Sequence, residues 1–225
     1  MADENDLDRS LTVADDVLAE RLEVVRTAIA NVGRDDVQVV GVTKGFDASA
    51  VRAAKRVGLS EIGENYAQEL IEKSSDFDDG VTVNFLGRVQ RNKVRKVHHL
   101  VDVWQSVARP EILTEIAKRS DTATVLLQVQ PDGDTTKDGV RPPQLAELFA
   151  LAADLNISVA GLMTIGVLND ADATRKSFAE LVALADEYDV PVRSMGMSGD
   201  YQEALAAGST MLRLGSALFG NRPGY

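Results

Sequence analysis

The 225-residue sequence contains no cysteine and only two histidines, which are adjacent, at positions 98 and 99. The absence of cysteine excludes disulfides, thiolate metal sites and a cysteine nucleophile. Neighbouring side chains point in different directions, so His98 and His99 do not favour a histidine metal cluster or a Ser-His-Asp triad. The sequence therefore predicts no metal site, no cysteine nucleophile and no Ser-His-Asp triad.

Long apolar runs and a basic leader are also lacking. No stretch is long and apolar enough to span a bilayer, and residues 1–6 are acidic, unlike the start of a signal peptide. The formal net charge of −11 argues against a general nucleic-acid or membrane-surface protein. We therefore expect a cytoplasmic protein with no nucleic-acid or membrane partner.

Strand patterns and helical patterns alternate along the chain. Short apolar runs predict strands at 37–44, 59–63, 81–86, 101–105, 123–129, 157–163, 190–194 and 211–214. Apolar residues at helical spacing predict helices at 7–32, 48–57, 66–77, 89–100, 110–119, 142–155, 171–188 and 201–207, with a closing helix from 216 to 219.

This order gives eight strand–helix units after one extra N-terminal helix. Strict alternation predicts parallel strands with right-handed crossovers, and eight units suit a closed (β/α)8 TIM barrel. The rival is an open, doubly wound sheet, but no G-x-G-x-x-G follows the first strand, which weakens its dinucleotide-binding version. No linker divides the chain, so we predict a single α/β domain over residues 1–225.

Lys44 follows the valine-rich run of the first strand and precedes Gly45. Partial desolvation at a strand end lowers the pKa of an amine and makes it a better nucleophile toward carbonyls. The simpler interpretation is a lysine whose amine extends to water. The rest of the chain favours the nucleophile.

Two small-residue loops follow strands seven and eight, where barrels often bind phosphate. They contain Ser198-Gly199 and Gly215-Ser216. Each alone fits an ordinary serine cap with a glycine turn. Together with a strand-end lysine, they favour a phosphorylated carbonyl cofactor, and pyridoxal 5′-phosphate (PLP) is the leading candidate.

Several motifs, spread over nearly the whole chain, make the sequence recognisable. They are Val42-Thr43-Lys44, residues 63–69 (GENYAQE), residues 85–87 with Gln90, Asn92 and Lys93, residues 161–164 (GLMT), residues 194–200 (SMGMSGD) and residues 208–220. With these motifs the chain resembles the pyridoxal phosphate homeostasis proteins. The resemblance implies the barrel of the alanine racemase N-terminal domain (fold type III), PLP binding without established turnover, and a link to vitamin B6 balance.

The same resemblance implies individual roles. Lys44 would form the Schiff base with PLP, and Arg213 would face the pyridine nitrogen. The other implied contacts surround the phosphate (Ser198, Gly215 and Ser216, with Gly199 nearby) and the ring and its rim (Asn65 and Met163). No residue is assigned a catalytic role. PLP-dependent apoenzymes are the implied recipients, and we expect a monomer.

Four positions depart from the family pattern. Val83-Asn84 stand where the family usually has Trp-His, so a contact from that histidine is in doubt. Ser216 replaces a common threonine and keeps the hydroxyl. Gly45 replaces the usual threonine after the lysine, which would loosen that turn.

Alternatives of two other kinds stay open. A racemase of this fold needs a second base, supplied in fold type III enzymes by a tyrosine of a separate domain, and neither Tyr66 nor Tyr201 is placed to replace it. A phosphate-binding barrel without PLP leaves Lys44 unexplained. The basic run 88–96 is interpreted as a solvated helix face, with a minor anion-steering role open to Lys93, and Lys137 as a solvated loop lysine.

Overall fold

The computed structural model describes residues 14–78, 80–131 and 138–221. These described residues form eight strands: β1 Gln38–Val42, β2 Glu61–Glu64, β3 Thr82–Phe85, β4 Val103–Val107, β5 Thr124–Gln128, β6 Ser158–Met163, β7 Val192–Ser194 and β8 Met211–Leu214. They also form nine α-helices: α1 Asp15–Asn31, α2 Ala48–Arg56, α3 Ala67–Glu72, α4 Arg91–Val97, α5 Pro110–Ala117, α6 Leu145–Asp154, α7 Ala171–Glu187, α8 Tyr201–Ala207 and α9 Ser216–Phe219.

Three predicted helices include a 3₁₀ turn that the apolar spacing does not reveal. The turns are Ser74–Asp76, His98–Leu100 and Pro142–Gln144. Such turns commonly tighten helix ends, because i→i+3 hydrogen bonds satisfy backbone groups there. Of the predicted helix 7–32, residues 7–13 lie outside the described residues, and the rest corresponds to α1.

The strands close into a parallel barrel in sequence order. β1 pairs with β2 on one side and with β8 on the other, with Val40 opposite Arg213 in the β1–β8 register. The predicted TIM barrel is therefore confirmed, and the open sheet was the wrong alternative. The carboxyl ends of all eight strands lie at one end of this barrel, where enzymes of the fold hold their sites.

Apolar side chains fill two separate cores. A small cluster of Val40, Leu126, Met163 and Met211 packs on its own, while a larger one lies between the strands and the surrounding helices. In the larger core, the fully buried Trp104 packs against Phe85 with ring centroids 5.3 Å apart. Burial of this surface from water is the main term that stabilises the fold.

The extra helix α1 buries one face, at Leu18, Leu22, Val25 and Ile29. It contacts α2 and α9, and the Arg21 guanidinium donates a hydrogen bond of 3.0 Å to the Leu218 carbonyl. These contacts of α1 therefore stabilise the position of α9. Within the described ranges, no helix combines the length and the apolar character that a membrane crossing requires.

Candidate functional site

A cavity of about 280 Å³ opens at the carboxyl end of the barrel. All eight residues that the sequence singles out line it: Lys44, Asn65, Met163, Ser198, Gly199, Arg213, Gly215 and Ser216. Its other walls are Val42, Leu86, Ile165 and Met197. The structure thus brings the predicted positions together, because each lies close to or beyond the carboxyl end of a parallel strand and these ends meet at one end of the barrel.

Lys44 and Arg213 lie at different depths. Lys44 is two residues beyond the end of β1 and is half-buried. Arg213 lies beside Val40, four residues before Lys44, and is only 5% exposed. Lys44 therefore belongs to the rim of the cavity, and Arg213 forms part of its floor.

The Arg213 guanidinium is held by neutral acceptors. Its Nη1 donates to Ser194 Oγ at 2.7 Å, and its Nη2 donates to the Thr164 carbonyl at 2.8 Å. Burial lowers the pKa of Arg213 to about 10, against the smaller opposite influence of Asp200. The floor of the cavity therefore carries a positive charge at neutral pH.

Below Arg213, a column of hydrogen bonds runs through the barrel. Ser194 Oγ donates to Gln105 Oε1 at 2.7 Å, and Gln105 Nε2 donates to Asn84 Oδ1 at 2.6 Å. Asn84 Nδ2 then donates to Glu61 Oε2 at 2.7 Å. Ser194, Gln105 and Asn84 are fully buried, and burial raises the pKa of Glu61. We call Ser194, Gln105, Asn84 and Glu61 the polar column.

Asn84 occupies the position where the family usually has histidine. It supplies an acceptor to Gln105 and a donor to Glu61 from inside the barrel. An amide carries both functions without a change of charge. The departure from the family at this position therefore lies three hydrogen bonds away from Arg213, through Ser194 and Gln105.

Ser198 links the two small-residue loops. Its Oγ accepts hydrogen bonds from the backbone N–H groups of Gly215, at 3.3 Å, and Ala217, at 3.0 Å. A serine hydroxyl has two acceptor sites and one hydrogen, so its own hydrogen stays available to an anion. The simple interpretation of a cap thus holds in part, but Ser198 caps α9 rather than the helix that follows it.

On the helix side of the barrel, the segment around Lys44 meets a buried ionic cluster. Lys73 Nζ donates to Glu64 Oε1 at 2.7 Å and to Glu69 Oε2 at 3.1 Å. The side chains of Lys73 and Glu64 are 3% and 0% exposed. We call Glu64, Glu69 and Lys73 the α3 clamp. Burial raises the pKa of Glu64 despite the opposing influence of Lys73.

Sequence reasoning missed Lys73 and most of the polar column. Gln105 and Ser106 interrupt an otherwise apolar strand, and a buried amide there is a signal for a hydrogen-bond network. Lys73 follows a helix of ordinary composition, so its contacts depend on tertiary packing. Gly87 is a further position that sequence reasoning did not explain. Its backbone lies so close to Asn65 that a Cβ there would be 1.9 Å from the Asn65 carbonyl oxygen.

Three cations of the basic run 88–96, which begins before α4 and continues along it, are engaged within the chain. Arg88 pairs with Asp138 at 3.2 Å, and Lys93 Nζ donates to the Arg88 carbonyl at 3.0 Å. Arg95 pairs with Glu115 at 2.9 Å. These contacts support the interpretation as a surface helix face. Lys137 lies outside the described residues.

Comparison with known proteins identifies the family. Residues 14–223 match the family described as alanine racemase, N-terminal domain. The chain is similar to the pyridoxal phosphate homeostasis protein of Aquifex aeolicus (strain VF5), with 36% identity over 220 residues that cover 91% of this chain and 96% of the relative. The chain belongs to the pyridoxal phosphate homeostasis protein family. The Escherichia coli (strain K12) member of this family is 31% identical over 222 residues, covering 91% and 95% of the two chains.

Solved structures agree with this family assignment. PipY of Synechococcus elongatus PCC7942 with PLP bound is 32% identical, with a TM-score of 0.79, and the match covers 90% of this chain and 100% of PipY. An alanine racemase from Corynebacterium glutamicum is 16% identical, with a TM-score of 0.74, and the match covers 61% of the racemase. The racemase shows a shared fold alone. The resemblance to the pyridoxal phosphate homeostasis protein family is thereby confirmed.

Proposed function

We propose that this chain binds PLP in the rim cavity, with Lys44 as the attachment point, and serves intracellular PLP homeostasis. The proposal depends on one observation. The half-buried Lys44, the buried cation Arg213 and the two small-residue loops after β7 and β8 all line one cavity. The names of the relatives and the PLP-bound PipY structure support the same ligand. When bound, PLP supplies an aldehyde that condenses with primary amines and a ring that accepts electrons.

The residues present fit this ligand. Asn65 Oδ1 is buried without a hydrogen-bond partner in the described part of the chain, so it is available to a polar group in the cavity. A Cβ at Gly199 would meet nothing within 4 Å, and one at Gly215 would meet its nearest atom at 3.6 Å. These glycines therefore leave room for an anion beside the Ser198 hydroxyl and the exposed Ser216. Met163, at the end of β6, offers an apolar edge.

We assign Arg213 to the ring nitrogen. A guanidinium can only donate hydrogen bonds, so it favours an unprotonated pyridine and weakens the electron sink. Lys44 can still exchange the ligand with other amines, which suits a carrier. We therefore propose a carrier or regulator without strong catalytic activity, and with no residue in a catalytic role.

The remaining parts of the proposal concern where the protein acts. We propose a monomer in the cytoplasm that releases PLP to PLP-dependent apoenzymes. The net charge of −11 supports the absence of a nucleic-acid or membrane partner, because both surfaces are themselves anionic.

Borohydride reduction tests the attachment point. The PLP-loaded protein is reduced and digested, and the peptides are mapped by mass spectrometry. We expect one pyridoxyl group, on Lys44, and none in the Lys44→Ala variant. A label found chiefly on Lys93 or Lys137 would refute the assignment. Robust racemisation or transamination of any common amino acid by the wild-type protein would overturn the carrier role and favour a fold type III enzyme.

A further inference from the structure

The two peptide groups that flank Lys44 are both tied to the α3 clamp. Lys73 Nζ donates to the Thr43 carbonyl at 2.8 Å, just before Lys44. The Gly45 N–H, just after it, donates to Glu69 Oε2 at 2.7 Å. The backbone that carries Lys44 is thus held on both sides by one cluster from the neighbouring helix layer.

The amine of the clamp uses all of its hydrogens. Lys73 makes three hydrogen bonds, to Thr43, Glu64 and Glu69, which match the three hydrogens of an ammonium. The Thr43 hydroxyl adds a further bond to Glu64 Oε1 at 2.5 Å. Such a buried amine is not free to react with an aldehyde. Its role is therefore to hold other groups in place.

The backbone at this point needs such support. Gly45 has a φ of +77°, in the left-handed region that glycine enters without penalty. Glycine has more conformational freedom than other residues, so the turn after Lys44 is intrinsically loose. The Glu69 carboxylate restrains it through the Gly45 N–H, and this restraint offsets the loosening expected from the sequence.

We propose that Lys73 and Glu69 are positioning residues for Lys44, an inference that rests on the proposed function. A lysine attached to an aldehyde in a fixed ring must place its Nζ accurately, and misplacement by about 1 Å can cost about a hundredfold in reaction rate. The clamp fixes the backbone from which Lys44 extends. A purely structural clamp would instead support all ligands of the cavity equally.

A pair of ligands separates these two roles. PLP can attach to Lys44, whereas 4′-deoxypyridoxine 5′-phosphate has a methyl group instead of the aldehyde and can bind only through its ring and phosphate. The dissociation constants of both ligands are measured for the wild type, Glu69→Ala and Lys73→Met. Glu72→Ala is the matched control, because Glu72 is an exposed carboxylate on α3 that accepts from Gln68.

We expect Glu69→Ala and Lys73→Met to weaken PLP at least tenfold and the deoxy analogue less than twofold, with Glu72→Ala close to wild type for both. Equal losses for the two ligands, or unchanged PLP binding in Glu69→Ala, would overturn the positioning role. Glu69 is partly exposed, so Glu69→Ala decides the question if Lys73→Met does not fold. A wild type that binds both ligands equally and carries no label on Lys44 would overturn the proposed function, and this inference with it.

Discussion

Lys44 at the rim and Arg213 at the floor of the same cavity are supported in different ways. The segment around Lys44 is held from the helix layer by the charged α3 clamp, and Arg213 is held from the barrel interior by a carbonyl and the polar column. The clamp concentrates its bonds on one amine. The column distributes them over strands β2, β3, β4 and β7, through hydrogen bonds between neutral groups as far as Asn84.

This difference predicts different responses to mutation. Removal of one partner from a buried ion cluster leaves an uncompensated charge, which costs much more than the cluster contributes as a whole. Loss of one neutral link leaves only unsatisfied dipoles. Loss of Lys73 from the α3 clamp should therefore lower the free energy of unfolding strongly, whereas loss of one residue of the polar column should lower it less.

The largest effect is expected for Lys73→Met. This change leaves the fully buried Glu64 beside a second carboxylate with no cation, so the free energy of unfolding at neutral pH should fall by about 3–5 kcal/mol. Chemical denaturation measures it. Lys118→Met, at an exposed lysine of a helix end, is the control and should stay within about 0.5 kcal/mol of wild type. A loss as small as that of the control would show that the cluster is not an ion pair that the fold depends on.

A smaller effect is expected at the floor, for Gln105→Leu. Ser194 Oγ then loses its acceptor and Asn84 Oδ1 loses its donor, which should lower the free energy of unfolding by about 1–3 kcal/mol. A double-mutant cycle with Asn84→Leu checks the contact, because coupled neighbours deviate from additivity by about 0.5–3 kcal/mol. Additive losses would mean that the polar column does not act as a chain.

The variant Gly45→Ala tests whether the turn that follows Lys44 affects PLP binding. A side chain at a φ of +77° costs about 1–2 kcal/mol, and the strain should also displace Lys44 and weaken PLP relative to its deoxy analogue. Gly33→Ala is the matched control, because Gly33 has a φ of +70° with nothing within 4 Å of a Cβ and lies after α1. Both variants should lose similar stability, measured by thermal unfolding. A ligand effect as large in Gly33→Ala as in Gly45→Ala would contradict a local role of the Gly45 turn.

The smallest effect is expected in the pH dependence of the free energy of unfolding. Burial raises the folded-state pKa of Glu64, so the folded state holds this proton more tightly than the unfolded state does. The resulting stability is fully present below the ordinary carboxyl pKa and is lost as the pH rises through the raised one. Glu64→Gln removes this titration. The stability of the wild type relative to Glu64→Gln should therefore fall from pH 4 toward pH 8, and a rise over this range would reverse the sign assigned to Glu64.

The pattern of the sequence was sufficient for the barrel and for candidate residues that line one cavity. Alternation of strand and helix periods carries the topology, and the parallel strands then place Lys44, Ser198 and Gly215 at one rim. The exact helix ends did not follow, because 3₁₀ turns such as His98–Leu100 keep the same apolar spacing. Whether PLP contacts each of the eight residues stays a prediction.

The supports of the site were harder to predict. Lys73 contacts Thr43 only because α3 packs against β2 and lies beside the segment that follows β1, and no local pattern encodes this distance. Asn84 could be seen only as a departure from the family, since its partners Gln105 and Glu61 lie on other strands. Hydrogen-bond networks across strands depend on the register of the barrel, which single-sequence periodicity does not fix.

The pairing of β1 with β8 also sets when the site can exist during protein synthesis. Ribosomes add about 5–20 residues per second, so Lys44 emerges roughly 10 to 30 seconds before Arg213 and Ser216. Until the last strand joins the first, Lys44 is an ordinary lysine without a floor or an anion site beside it. If PLP is held by Lys44 and by the loop after β8, as proposed above, it would bridge β1 and β8 and stabilise the closed barrel by mass action. Bound cofactor would thus mark molecules that have completed their last strand.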